Sequence, residues 1–209
     1  MSLSKVATLK QLAAFKTVAR LGSVSQAASE QAASVEETTA TMDSMSSSIS
    51  QNSDNAKVKD GMDAIAAGDF AKAKEILTAA VSEAPNDPQA AFYLGVALEN
   101  GGDVKGAREH YERALSLDGK LSEAAVNLSA LLLDANEGKA ALDVVRAAIK
   151  HAPTHPMLLM NRALALEATG DAAAVAAYGQ AVKAQPDNLE LRYAHAELLL
   201  GAGKKDEAL

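Results

Sequence analysis

Small residues, glycines and prolines return at the same offsets about every 34 residues over the last three quarters of this chain. In the copy that opens at Pro88, the eighth position is Gly95, the twentieth Ala107, the twenty-fourth Tyr111 and the twenty-seventh Ala114. From Asp54 the same places hold Gly61, Ala73, Leu77 and Ala80; from Ser122 they hold Ser129, Ala141, Val145 and Ala148. From Pro156, with one residue deleted, they hold Ala163, Ala174, Tyr178 and Ala181. A fifth copy from Leu189 shows Ala196 and Ala208 and runs to Leu209. Neighbouring copies of such a unit stack, and each buries its apolar face against the next.

Each copy reads as two antiparallel helices. Gly68-Asp69, Gly102-Asp103 and Gly170-Asp171 fall between them. Glycine ends the first helix in the left-handed region, and aspartate caps the second. Asn136-Glu137 occupies this place in the third copy, and asparagine is the next residue tolerated there. Between copies, Pro88 and Pro156 suit the first turn of a helix, where the missing N–H costs nothing. The recurrent Ala and Gly positions are where helices cross closely, so larger side chains there overpack the crossing.

These offsets resemble the tetratricopeptide repeat (TPR) family over residues 54–209. The resemblance implies an all-α fold, a right-handed α-solenoid of antiparallel helix pairs with an N-terminal helical extension. Its repeats would span 54–87, 88–121, 122–155, 156–188 and a truncated 189–209. Composition agrees: alanine and leucine dominate, tryptophan is absent, and no long stretch alternates apolar and polar residues as a sheet requires.

The absence of cysteine excludes disulfides, thiolate metal sites and thiol catalysis. No apolar run near the N-terminus is long enough for a signal peptide or a membrane span, so a cytoplasmic location is expected. The formal net charge is −7, and acids balance bases in residues 1–57, so the surplus lies on the repeats. That disfavours a nucleic-acid groove, which needs clustered Lys and Arg. A basic or apolar partner is easier to accommodate. Alternatively, the acids only keep an alanine-rich solenoid soluble.

The first 57 residues stand outside the repeat. Residues 1–23 form one short segment and 24–53 a second. Leu21, Ala28, Val35, Met42, Ile49 and Ala56 recur every seventh position, with Val24, Thr38 and Met45 on the companion seam; Gln31 and Asn52 weaken it. The stretch from Ser29 to Thr41, with Glu36-Glu37-Thr38-Thr39-Ala40-Thr41 at its centre, resembles a chemoreceptor methylation helix. That resemblance implies reversible methyl esterification of Glu37, with Glu30 on the same face. It lacks the return helix and hairpin tip of such receptors, so a complete receptor output is not expected. Leu9, Leu12, Phe15, Val18, Ala19, Gly22, Ser23, Ala27 and Ala28 resemble the start of a LysR-type helix-turn-helix, without its recognition helix. Two interrupted signatures point to a mosaic, a fused gene or a joining of unrelated pieces.

No catalytic constellation emerges. His151 and His155 are separated by Pro153 and do not share a helix face, and no carboxylate cluster completes a metal site. No phosphate loop or nucleophile triad can be assigned. The expectation is a non-enzymatic protein without cofactor or metal. In TPR proteins the first helices of successive repeats line a concave groove. By that resemblance, Phe92, Tyr93, Val96 and Glu99 face it from the second repeat, Val126, Asn127 and Ala130 from the third, and Met160, Asn161, Leu164 and Glu167 from the fourth. Asn127 and Asn161 occupy equivalent places. Their amides either meet a peptide backbone or bridge repeats.

The carboxylate clamp that some TPR proteins use is missing, since its places hold Val58, Met62, Tyr93, Glu123 and Asn127. Glu123 repels an acidic peptide. The expected partner is a protein segment that is apolar, amphipathic or basic, with Glu99 and Glu167 meeting its cations. The alternative is a signalling component acting through a methylated N-terminal helix. Lys204-Lys205-Asp206-Glu207-Ala208-Leu209 opens a second helix that does not continue, so Leu198, Leu199 and Leu200 are expected to be left partly uncovered. Self-association through that end or through the N-terminal helix is a further expectation, unless repeats continue past it.

Overall fold

Gly68, Gly102 and Gly170 take positive φ at the turns inside the repeats, and Asn136 does so at the fourth equivalent place. Gly203 repeats the pattern in the fifth copy. Reversals at these points lay the chain down as antiparallel helix pairs. The structure is a computed structural model that describes residues 35–36, 38–45 and 56–204. The chain divides into two units, Met1–Ser53 and Asp54–Leu209.

In the second unit, helix α1 is described over 56–66. It is followed by α2 (Phe70–Glu83), α3 (Pro88–Asn100), α4 (Val104–Leu117) and α5 (Ser122–Asp134). Then come α6 (Gly138–Ile149), α7 (Pro156–Ala168), α8 (Ala174–Ala184) and α9 (Leu189–Gly201). From α2 onward each helix packs on the next in sequence, and α5 also packs on α7. Such next-neighbour packing is what a solenoid requires. No strand occurs among the described residues.

The helix starts follow from the sequence. The Asp69 carboxylate accepts from the Lys72 backbone N–H, and Asp103 accepts from that of Gly106. Asp87 and Asn188 cap α3 and α9 in the same way. Pro88 and Pro156 occupy the first turns of α3 and α7. Glu137, which replaces aspartate, makes no side-chain cap. It is used elsewhere, as an acceptor for Arg108.

The core is the recurrent small-residue set. Ala73, Ala107, Ala141 and Ala174 are buried, as are Ala80, Ala114, Ala148 and Ala181. A Cβ on Gly95 would lie 2.6 Å from Cε1 of Tyr111, and one on Gly61 would lie 2.5 Å from Cγ of Leu77. Hydrogen is thus the only side chain that fits these crossings without movement. Ser129 and Ala163 occupy the equivalent places, both fully buried. Unlike the other two, these repeats tolerate a Cβ there.

In the first unit, residues 35–36 and 38–45 are helical, and Thr39 Oγ1 donates to the Val35 carbonyl. Val35, Met42 and Met45, three positions of the heptad seam, are exposed. Glu30 and Glu37 lie outside the described residues, as do residues 1–34 with the helix-turn-helix resemblance.

Replacing Gly95 by valine is expected to cost about 1–3 kcal/mol by overpacking against the Tyr111 ring. Chemical denaturation followed by circular dichroism measures it. An unchanged midpoint would show that the crossing has slack.

Candidate functional site

Tyr111 joins the two helices of the second repeat to the third. Its ring is fully buried under Gly95, and its hydroxyl donates to Glu99 Oε2 at 2.5 Å. Asn127 Nδ2, on α5, donates to the same hydroxyl at 3.1 Å. The result is a three-member chain from α5 through α4 to α3. The fourth repeat repeats its inner half: the Tyr178 hydroxyl donates to Glu167 Oε2 at 2.5 Å. Burial pushes both phenols above their ordinary value, and the adjoining carboxylates push further. Among described residues neither Glu99 nor Glu167 is ion-paired with a cation.

The remaining expected groove residues divide by burial. Val96, Tyr93, Val126, Ala130 and Met160 are half-buried, and Leu164 is 36% exposed. Phe92 is only 7% exposed. Its ring sits edge-on to Tyr93 at 5.0 Å and tilted to Tyr111 at 5.8 Å, so it packs within the repeat. Asn161 is 2% exposed, and Nδ2 donates to the Val126 carbonyl at 3.0 Å and to Ser129 Oγ at 2.8 Å. Of the two roles open to that asparagine, it takes the bridge between repeats. A buried amide needs such partners, and Ser129 supplies one through its own hydroxyl.

Charge is sorted between the two helix sets. The first helices of repeats two to four (α3, α5 and α7) hold Glu99, Glu123, Asp134 and Glu167 against Arg162 alone. The second helices (α4, α6 and α8) hold Lys105, Arg108, Arg113, Lys139, Arg146 and Lys183 against Glu109, Glu112 and Asp143. Several of the latter are spent on stitching repeats. Arg108 Nη1 donates to Glu137 at 2.7 Å and Nε to Glu112 at 3.0 Å, bonds that raise its already high pKa. Lys74 and Asp103 stand at the equivalent places one repeat earlier, 4.0 Å apart. Arg113 Nη2 donates to the Pro85 carbonyl at 2.6 Å, and Lys57 pairs with Glu83.

No cluster of three His, Asp or Glu able to hold a metal occurs among the described residues. His110 and His155 each have a buried Nδ1 without a partner. Burial, with Arg113 nearby, holds the His110 imidazole below its ordinary value. That favours a neutral, packed side chain. No described helix is long and apolar enough to cross a membrane.

Two clefts lie elsewhere. One of about 720 Å³ runs between α8 and α9 and is lined by Val175, Gly179, Val182, His195 and Leu199. Leu199 is buried there and Leu198 half-buried, because α9 turns them toward α8; Leu200 stays exposed. Leu198 and Leu200 are thus left partly uncovered as expected, and only Leu199 is covered. A smaller cleft, about 450 Å³, lies beside Asp60, Asp63 and Lys72.

The sequence pattern did not flag the Tyr–Glu pairs. Their signal was present: tyrosine at the twenty-fourth position coincides with glutamate at the twelfth in repeats two and four. In repeats one and three the same two places hold Ile65 with Leu77 and Leu133 with Val145.

This geometry defines an α-solenoid of helical hairpins. The tetratricopeptide repeat profile matches residues 59–122, 127–174 and 172–209, and the chain belongs to that family. Comparison with curated proteins returns no match. Among solved structures, MamA 41-end from Desulfovibrio magneticus RS-1 is 21% identical, with a TM-score of 0.66 over 74% of this chain and 88% of that one. A crystal structure of MamA is 23% identical, with a TM-score of 0.65 over 71% of this chain and 87% of that one. Another MamA crystal structure is 22% identical, with a TM-score of 0.67 over 74% and 85%. At that identity the likeness is one of fold.

Burial raises both phenols above the ordinary value of 10.0, so their contribution to stability is complete below about pH 10. It is lost as pH climbs higher, because the unfolded chain ionises first. Replacing Tyr111 and Tyr178 by phenylalanine should flatten the fall in Tm above pH 10. A double variant that loses Tm as steeply as the parent would show that the phenols do not drive alkaline unfolding.

Proposed function

We propose that residues 54–209 form a non-catalytic scaffold that binds an apolar, cation-bearing segment of a partner protein. The proposed surface is the face formed by α3, α5 and α7. The observation that carries this reading is the sorting of charge between the two helix sets. Acids dominate the first helices, and among the described residues no cation pairs with Glu99 or Glu167. A neighbouring apolar floor supplies burial: Val96, Ala130, Met160 and Leu164 retain accessible surface. Tyr93 adds an aromatic edge of the kind enriched in interface cores. Phe92 and Asn161 support this face from beneath. Asn127 contributes through its hold on Tyr111.

Opposite charge across such a face steers encounter and rejects acidic sequences. The balance of charge favours this use over solubility alone: the first helices carry four acids against one cation, whereas on the second helices six cations outnumber three acids.

Selection of random displayed peptides on the full chain tests the reading. The expected consensus mixes arginine or lysine with leucine-like residues. Reversal of both acids (Glu99→Lys with Glu167→Lys) should weaken the selected peptides about tenfold at unchanged helicity, since like charges then face each other. An acidic consensus, or affinity indifferent to the reversal, would contradict it.

A further inference from the structure

The two tyrosine-held carboxylates stand in alternate repeats. Glu99 and Glu167 both occupy the twelfth position, in repeats two and four, and the intervening repeat has Leu133 there. Each carboxylate has one oxygen fixed by a buried phenol, at 2.5 Å in both cases. A glutamate free on a helix surface samples several rotamers and loses that freedom when it pairs. Here the loss is already met by folding, so the two charges are presented at a fixed separation. Among the described residues no phenol holds Glu123 or Asp134 on α5: the third repeat carries Val145 where repeats two and four carry tyrosine.

We infer that this face reads the spacing of two cations in its ligand, with an apolar residue midway between them. The inference rests on the binding face proposed above and specifies what it selects. α5 packs on α7, and the Asn127–Tyr111 bond links it through α4 to α3; taking the packed-helix spacing of about 8–10 Å for each repeat step puts equivalent carboxylates of alternate repeats about 16–20 Å apart, which an extended chain at about 3.3 Å per residue spans in about five or six residues. The central apolar residue faces Leu133, half-buried on α5. An acid–apolar–acid order on the protein calls for cation–apolar–cation on the ligand. The chemistry is that of a basic peptide segment lying across the repeats.

Fluorescein-labelled peptides with a central leucine on a serine–alanine background supply the probe. Their two arginines would stand about two, five or nine residues apart, bracketing the extended-chain estimate. Binding to the full chain is read by fluorescence anisotropy. The middle spacing should bind about three- to fivefold tighter than either other, the effect of one added exposed ion pair. Replacing Tyr111 and Tyr178 by phenylalanine should remove that preference while the weaker, spacing-independent binding persists. Equal affinity at all three spacings, with binding still lost on charge reversal of Glu99 and Glu167, would overturn the spacing rule and leave the binding face standing. A preference that survives the phenylalanine substitutions would overturn the role of the phenols. Failure of every peptide to bind, while a selected peptide does, would overturn the two-cation ligand; failure of both would sink the face as well.

Discussion

A missing side chain at Gly95 is the constraint on which the second and third repeats depend. With no Cβ there, the Tyr111 ring lies against the α3 backbone, where a methyl group would stand 2.6 Å from it. The ring's depth in turn sets where its hydroxyl emerges, within reach of both Glu99 and Asn127. One close crossing thus supplies packing, an inter-repeat tie and a positioned carboxylate. Where the crossing residue is serine or alanine, the arrangement changes. Ser129 turns its hydroxyl into a partner for Asn161, and repeat three is joined to repeat four by that bond.

Different chemistry therefore joins successive repeats at one structural place. Between repeats two and three the tie is Asn127 to a phenol; between three and four it is Asn161 to a hydroxyl and a backbone carbonyl. On the opposite helices, ion pairs at equivalent positions, Lys74 with Asp103 and Arg108 with Glu137, serve the first two junctions. The corresponding place in the third repeat is Leu142, which is buried. Exposed pairs of this kind contribute little each, so the apolar crossings remain the main source of stability.

The fold was legible in the sequence because turn chemistry and small-residue spacing both carry direct backbone consequences. Glycine at Gly68, Gly102 and Gly170, and asparagine at Asn136, took the left-handed conformation their places demand. The face was less legible. A repeat position says which way a side chain points, not whether a neighbour already covers it. Phe92 and Asn161 point toward the face, yet aromatic neighbours enclose the first and the preceding repeat claims the second. The phenol–carboxylate pairs are hard to read from sequence because they join positions twelve and twenty-four, which no helical periodicity links. They meet only once the hairpin has closed.

Backbone amide shift mapping tests the central claim most directly. The full chain would be titrated with a leucine-containing peptide that carries two arginines. The account predicts perturbations along α3, α5 and α7, strongest near Glu99 and Glu167, with α4 and α6 undisturbed. Perturbations confined to the α8–α9 cleft, or spread along the cation-bearing second helices, would contradict it.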